Sequence, residues 1–170
     1  MELLTNRIVQ HLDQKNIAYE RLSHKRDYTA RQTACDCHLN PSCFAKVVGV
    51  EADGRQLLAV LPADHFVDLP RFQELLSVNR IAMLPESALQ TFFPDCEVGA
   101  FPPLGNLYGL PVYVAPALTR QERITFNAGT HEQAIRMAYK DFDLMVRPTV
   151  MDFSSPDSHR EMGVHPCRPS

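Results

Sequence analysis

The sequence predicts a single α/β domain, and three observations carry that expectation. Helix-periodic and strand-like segments interleave along most of the chain, which is the pattern of helices packed on a sheet. A chain of 170 residues is long enough for one complete core, in which roughly two thirds of the unfolded surface is buried. No internal repeat divides it, so the domain is expected over residues 1–153. The remainder, 154–170, is polar and Pro-rich and reads as a flexible tail.

Taken in order, Leu4, Ile8 and Leu12 recur at helical spacing, with Leu3 and Val9 beside them, and predict a helix over residues 2–16. Residues 17–22 alternate as a strand. Thr29-Ala30-Arg31-Gln32 has the form of a capping box and opens a helix to about Leu39, which Asn40-Pro41 ends. Residues 44–50 and 56–61 are β-branched and apolar, and Asp53-Gly54 between them is a hairpin turn signal. Beyond Pro62 the patterns predict a helix from Pro70 through Leu76, a strand over 81–84, and a helix over 86–93 opened by Pro85. Strands are expected over 111–115 and 123–126, weak alternation over 134–139, and a last helix over 141–147 before Pro148.

Charge and cysteine content narrow the functional classes. A net charge of −3 and a pI near 6.1 argue against a protein that grips nucleic acid chiefly by charge. The first 31 residues nonetheless carry six basic and four acidic side chains, and Arg21, Lys25, Arg26 and Arg31 form the nearest thing to a phosphate-facing patch, or else a solvated face. No apolar run reaches the roughly 18 to 20 residues of a membrane span, and the N-terminus lacks a signal peptide's charge-then-apolar order, so a cytoplasmic location is expected. Five cysteines, three of them crowded into Cys35, Cys37 and Cys43, fit free thiols better than a disulfide framework. With His24 and His38 nearby they suggest zinc only superficially, because the spacing departs from the usual ligand pairs and no second pair follows. No metal and no cofactor is expected.

Three stretches are candidates for chemistry. Glu97-Val-Gly-Ala-Phe-Pro-Pro-Leu-Gly105 combines glycines that allow positive φ with Pro102 and Pro103, which fix φ and remove two donors. Such a loop is either a Pro-rich connection or a rigid cradle in which the N–H groups of Gly99, Ala100 and Phe101 stabilise developing negative charge on an oxygen. Lys46 is the one charge in a row with Phe44, Val48 and Val50. It is either a lysine snorkelling to water or an ammonium held near an anionic or carbonyl group. The third stretch is Asn127-Ala-Gly-Thr-His131.

Ala45-Lys46 on an apolar strand, Gly99-Ala-Phe-Pro-Pro103 as a Gly-x-x-x-Pro loop, and Phe126-Asn-Ala-Gly-Thr-His131, in that order, resemble the YbaK family of aminoacyl-tRNA deacylases over roughly residues 3–150. The resemblance implies a compact α/β domain with a mixed, strongly bent sheet flanked by helices. It also implies hydrolysis of the ester between a wrongly attached amino acid and the terminal adenosine of a tRNA, with the tRNA acceptor end as partner and a synthetase as a further one. Under it, Gly99, Ala100, Phe101 and Pro103 form the catalytic loop, Lys46 is the electrostatic anchor on the same cavity, and Asn127, Gly129 and His131 contact substrate or shape the turn. Two other readings stand beside it: a Cys96/His131 thiol hydrolase, and a non-catalytic module that binds tRNA or a synthetase.

Overall fold

The computed structural model describes residues 2–23 and 39–157. The helix expected from residue 29, the Cys35 to His38 cluster and the basic positions Lys25, Arg26 and Arg31 lie outside the described residues. Helix α1 (Glu2–Gln14) buries Ile8 and Leu12 completely, and the chain leaves it through Asn16, whose φ of 55° is a left-handed conformation that asparagine tolerates. After β1 (Tyr19–Ser23), strands β2 (Ala45–Ala52) and β3 (Arg55–Pro62) pair antiparallel from Ala45 facing Pro62 to Ala52 facing Arg55. Their two-residue turn has Asp53 at φ 48° and Gly54 at φ 82°, the pair of positive angles that a type I′ hairpin requires. The Asp53 carboxylate also accepts the N–H groups of Asn79 and Arg80 at 2.8–3.1 Å. That contact ties the hairpin tip to the chain entering β5 (Ile81–Met83).

The remaining elements are β4 (His65–Val67), α2 (Leu69–Leu76), α3 (Glu86–Leu89), β6 (Val112–Val114), α4 (Pro116–Thr119), β7 (Arg123–Asn127), β8 (Gln133–Ala138), α5 (Tyr139–Val146), β9 (Thr149–Val150) and β10 (Ser154–Pro156). A five-stranded mixed sheet runs β5-β2-β3-β6-β9, parallel between β3, β6 and β9 and antiparallel elsewhere. A three-stranded antiparallel sheet, β1-β8-β7, meets it where Phe44 bridges Thr125. The chain is thus one mixed α/β domain, as expected.

Period-two alternation sorts the β2–β3 ladder between two cores. Ala45, Leu58 and Val60 face a larger core with Ile8, Leu12, Phe93, Phe101, Phe126 and Phe142. Val50, Leu57, Ala59 and Leu61 face a smaller one with Phe72 and Phe153, whose rings stack at 4.6 Å.

Two expectations on element bounds change. The helix after Pro85 stops at Leu89, because the chain tightens into successive i→i+3 turns that carry Phe93 into the core. The tail does not begin at residue 154. Ser154 to Pro156 pair with Val67 to His65 as β10, and the Asp157 N–H donates to Asp64 O at 2.8 Å. The edge of β4 needed a partner for its backbone groups, and this polar segment supplies it.

Candidate active site

The Glu97–Gly105 loop is held from three sides. The Gln90 side chain donates to the carbonyl of Cys96 at 2.5 Å, fixing the loop's entry. Gly105 fixes its exit: a Cβ there would run into the carbonyl oxygen of Leu110 and the Val112 side chain, so only glycine fits. Between them Phe101, Pro102, Pro103 and Leu104 are buried, with the Phe101 ring 5.2 Å from that of Phe93. The two prolines therefore brace the loop against the core.

The third side is the turn after β7, and the two segments interlock. Glu97 N–H donates to Gly129 O at 2.8 Å, and Gly129 N–H returns to Ala100 O at 3.0 Å. The Glu97 carboxylate accepts the His131 N–H at 3.0 Å, and His131 Nε2 lies 2.6 Å from Val98 O. A carbonyl only accepts, so Nε2 carries the proton. Gly99 (φ 84°) and Gly129 (φ 92°) both need left-handed backbone, and a Cβ on Gly99 would stand 3.3 Å from His131 Cε1.

This geometry corrects one donor. The Ala100 N–H is committed to Glu97 O at 3.0 Å, closing a turn, and Ala100 is fully buried. Among the described residues, the N–H groups of Gly99 and Phe101 make no backbone hydrogen bond. Of the three donors expected for the cradle, these two remain to meet a ligand oxygen.

Beneath the loop lies a support that the sequence did not advertise. Arg7 of α1 lies 3.7 Å from Asp95, donates to Leu107 O at 3.1 Å, and sits over the Tyr108 ring at 5.0 Å. Tyr108 in turn donates to Asp95 at 3.3 Å. Glu97, Arg7 and Tyr108 were all missed as site-shaping residues, because their partners lie far away in the chain. Cys96, next to this network, is 5 % exposed, and burial, reinforced by Asp95, pushes its thiol up to about 12. At neutral pH it is a thiol, which weighs against the Cys96/His131 nucleophile.

Lys46 belongs to β2 and is partly exposed. Alternation along β2 puts it on the face of Val48 and Val50, toward the smaller core, whereas Phe101 belongs to the larger. Its charge is felt by His65: burial lowers that imidazole's pKa, Lys46 lowers it further, and Asp64 and Asp152 oppose both. Asn127 ends β7 opposite Ala134 and is 7 % exposed, with Oδ1 buried and unbonded, so that atom does not pin the turn. Clefts of about 420, 290 and 720 Å3 open elsewhere on the surface, and the described residues that line these include neither Lys46 nor the loop.

Fold and candidate site together describe an α/β domain with a glycine- and proline-shaped loop beside a buried imidazole. Residues 24–144 match the family described as the aminoacyl-tRNA editing domain, and the chain belongs to that family. No curated protein sequence matches the chain. Among solved structures, one described as "a putative trans-editing enzyme for prolyl tRNA synthetase" is 16 % identical, covers 89 % of this chain and 96 % of its own, and superposes with a TM-score of 0.75. A hypothetical protein at 15 % identity covers 87 % of this chain and 99 % of its own, with a TM-score of 0.78. At such identities the likeness is one of fold.

Proposed function

We propose that the chain hydrolyses the ester linking a wrongly attached amino acid to the terminal adenosine of a tRNA, acting in trans. The observation that carries this reading is the pair of undonated N–H groups, Gly99 and Phe101, on a loop that Glu97, Gly129 and His131 hold rigid. Water attacks the ester carbonyl carbon, its oxygen becomes an oxyanion held by these donors, the carbon–oxygen bond to the ribose breaks, and the ribose oxygen leaves with a proton. Each preorganised donor is worth on the order of a hundredfold in rate. An aminoacyl ester is already activated, so positioning and electrostatics suffice and no protein nucleophile is required. The vicinal ribose hydroxyl orients the water, and Lys46 supplies fixed positive charge to the substrate, a role drawn from the family resemblance. The His131 imidazole supports the cradle through Val98, and Asn127 offers a carbonyl to the bound aminoacyl end.

The test is a panel of purified tRNAs charged with Ala, Ser, Cys, Thr or Pro, incubated with wild type and with Lys46→Ala. Wild type should clear at least one member well above the buffer rate, and Lys46→Ala should lose most of that activity. Clearance of none by the wild type removes the enzymatic reading and leaves the binding module. Activity retained in Lys46→Ala removes the lysine from the mechanism without touching the loop.

A further inference from the structure

The outer face of the β1-β8-β7 sheet carries a pair of arginines that the proposed chemistry does not use. Register places Arg136 opposite Thr125 on one side and Glu20 on the other, with Arg123 two positions from Thr125 on the same face. The two guanidiniums are thus diagonal neighbours. One carboxylate, Glu20, is shared between them at 3.1 Å from Arg123 and 3.7 Å from Arg136. Both arginines line two adjoining clefts. The larger, about 420 Å3, also takes in Asn40, Cys43, Gln121 and Thr125 from the described residues. Among the described residues its charged lining is the arginine pair and Glu122, whereas the smaller cleft adds Glu20 and Asp141 to the arginines and is balanced.

A fork of two guanidiniums already closed on a carboxylate is a geometry that accepts phosphate oxygens, because both anions present paired acceptors to planar donors. The positive balance of the larger cleft selects it over its neighbour. Its volume is ample for one nucleotide, and the exposed Asn40 side chain amide suits a ribose or base edge. We infer that Arg123 and Arg136 bind a backbone phosphate of the tRNA acceptor end, with Glu20 as the built-in competitor that occupies the fork when no nucleic acid is bound. This deepens the proposed function by giving the tRNA a foothold on the sheet face, and it rests on that reading for its partner.

The experiment measures binding of labelled deacylated tRNA as a function of salt, and separately hydrolysis of a minimal 3′-aminoacyl-adenosine, which lacks the phosphates. Arg123→Gln and Arg136→Gln should each weaken tRNA binding roughly three- to tenfold and flatten the log Kd against log salt slope by about one. Arg136→Lys should restore much of the slope, and Glu20→Gln should tighten binding. Minimal-ester hydrolysis should be the same in all of them. Unchanged binding and slope in both glutamine variants overturn the inference while leaving ester cleavage standing. A fall in minimal-ester hydrolysis equal to the fall in tRNA affinity also overturns it, since the arginines would then serve the reacting end or the fold. Failure of wild type on every charged tRNA sinks the proposed function instead, and the tRNA binding data still decide the fork.

Discussion

Gly99 is the residue on which loop and turn depend together. An L side chain at its φ of 84° costs about 1–2 kcal/mol, and the added Cβ presses on the His131 ring at 3.3 Å. Gly99→Ala should lower the unfolding free energy from urea titration by that amount and reduce single-turnover deacylation tenfold or more, because one donor and the imidazole shift at once. Gly105→Ala should be worse for stability, about 3 kcal/mol, since backbone rather than a movable side chain stands in the way. Cys96→Ala should leave deacylation intact, and the native Cys96 thiol should resist alkylation at pH 8, because its burial holds it protonated to about 12. Single-turnover rates and mass spectrometry of alkylated protein check both.

At the scale of elements, capping and turn chemistry dominate. The Asp68 side chain caps α2 by accepting the Arg71 N–H at 3.2 Å, so Asp68→Ala should cost about 1 kcal/mol in urea unfolding. Most elements were legible because their signals are local: the Asp53-Gly54 turn, Pro70 inside the start of α2, and the 3.6-residue spacing of Ile8 and Leu12. The candidate loop was legible for the same reason, through its glycines and prolines. What hid from the sequence were relations between distant segments. Period two along β2 names the residues that accompany Lys46 but not the core that face meets. The commitment of the Ala100 N–H depends on a turn back to Glu97, and β10 exists because β4 has an edge to cover. Ser154-Ser-Pro156 carries little apolar content of its own, so nothing local marked it as a strand.

Among the described residues, two partly buried histidines, His11 and His65, titrate in a way that opposes folding. Burial lowers the pKa of both His11 and His65 below the ordinary value of 6.5. The unfolded chain then takes up more protons than the native one as pH falls below 6.5, so their contribution is complete above that value and is lost on descent through the folded pKa values. Urea midpoints should therefore decline between pH 7 and 5, and His65→Gln should flatten part of that decline. Removal of residues 154–170 by truncation after Phe153 should destabilise the fold as well, since it frees the β4 edge and breaks the contact between His65 Nδ1 and Ser154 Oγ at 2.9 Å. Thermal unfolding of the truncated chain measures the loss.

The bonds from Glu97 N–H to Gly129 O and from Gly129 N–H back to Ala100 O, with those from His131 to Glu97 and Val98, make one mechanical part out of two stretches 33 and 34 positions apart at the His131 contacts. A double-mutant cycle should expose this. Glu97→Ala, which removes the acceptor of the His131 N–H, and His131→Ala, which removes the imidazole bond to Val98 O, are each harmful alone and should together cost well under the sum of their separate penalties, because both bonds hold the same joint.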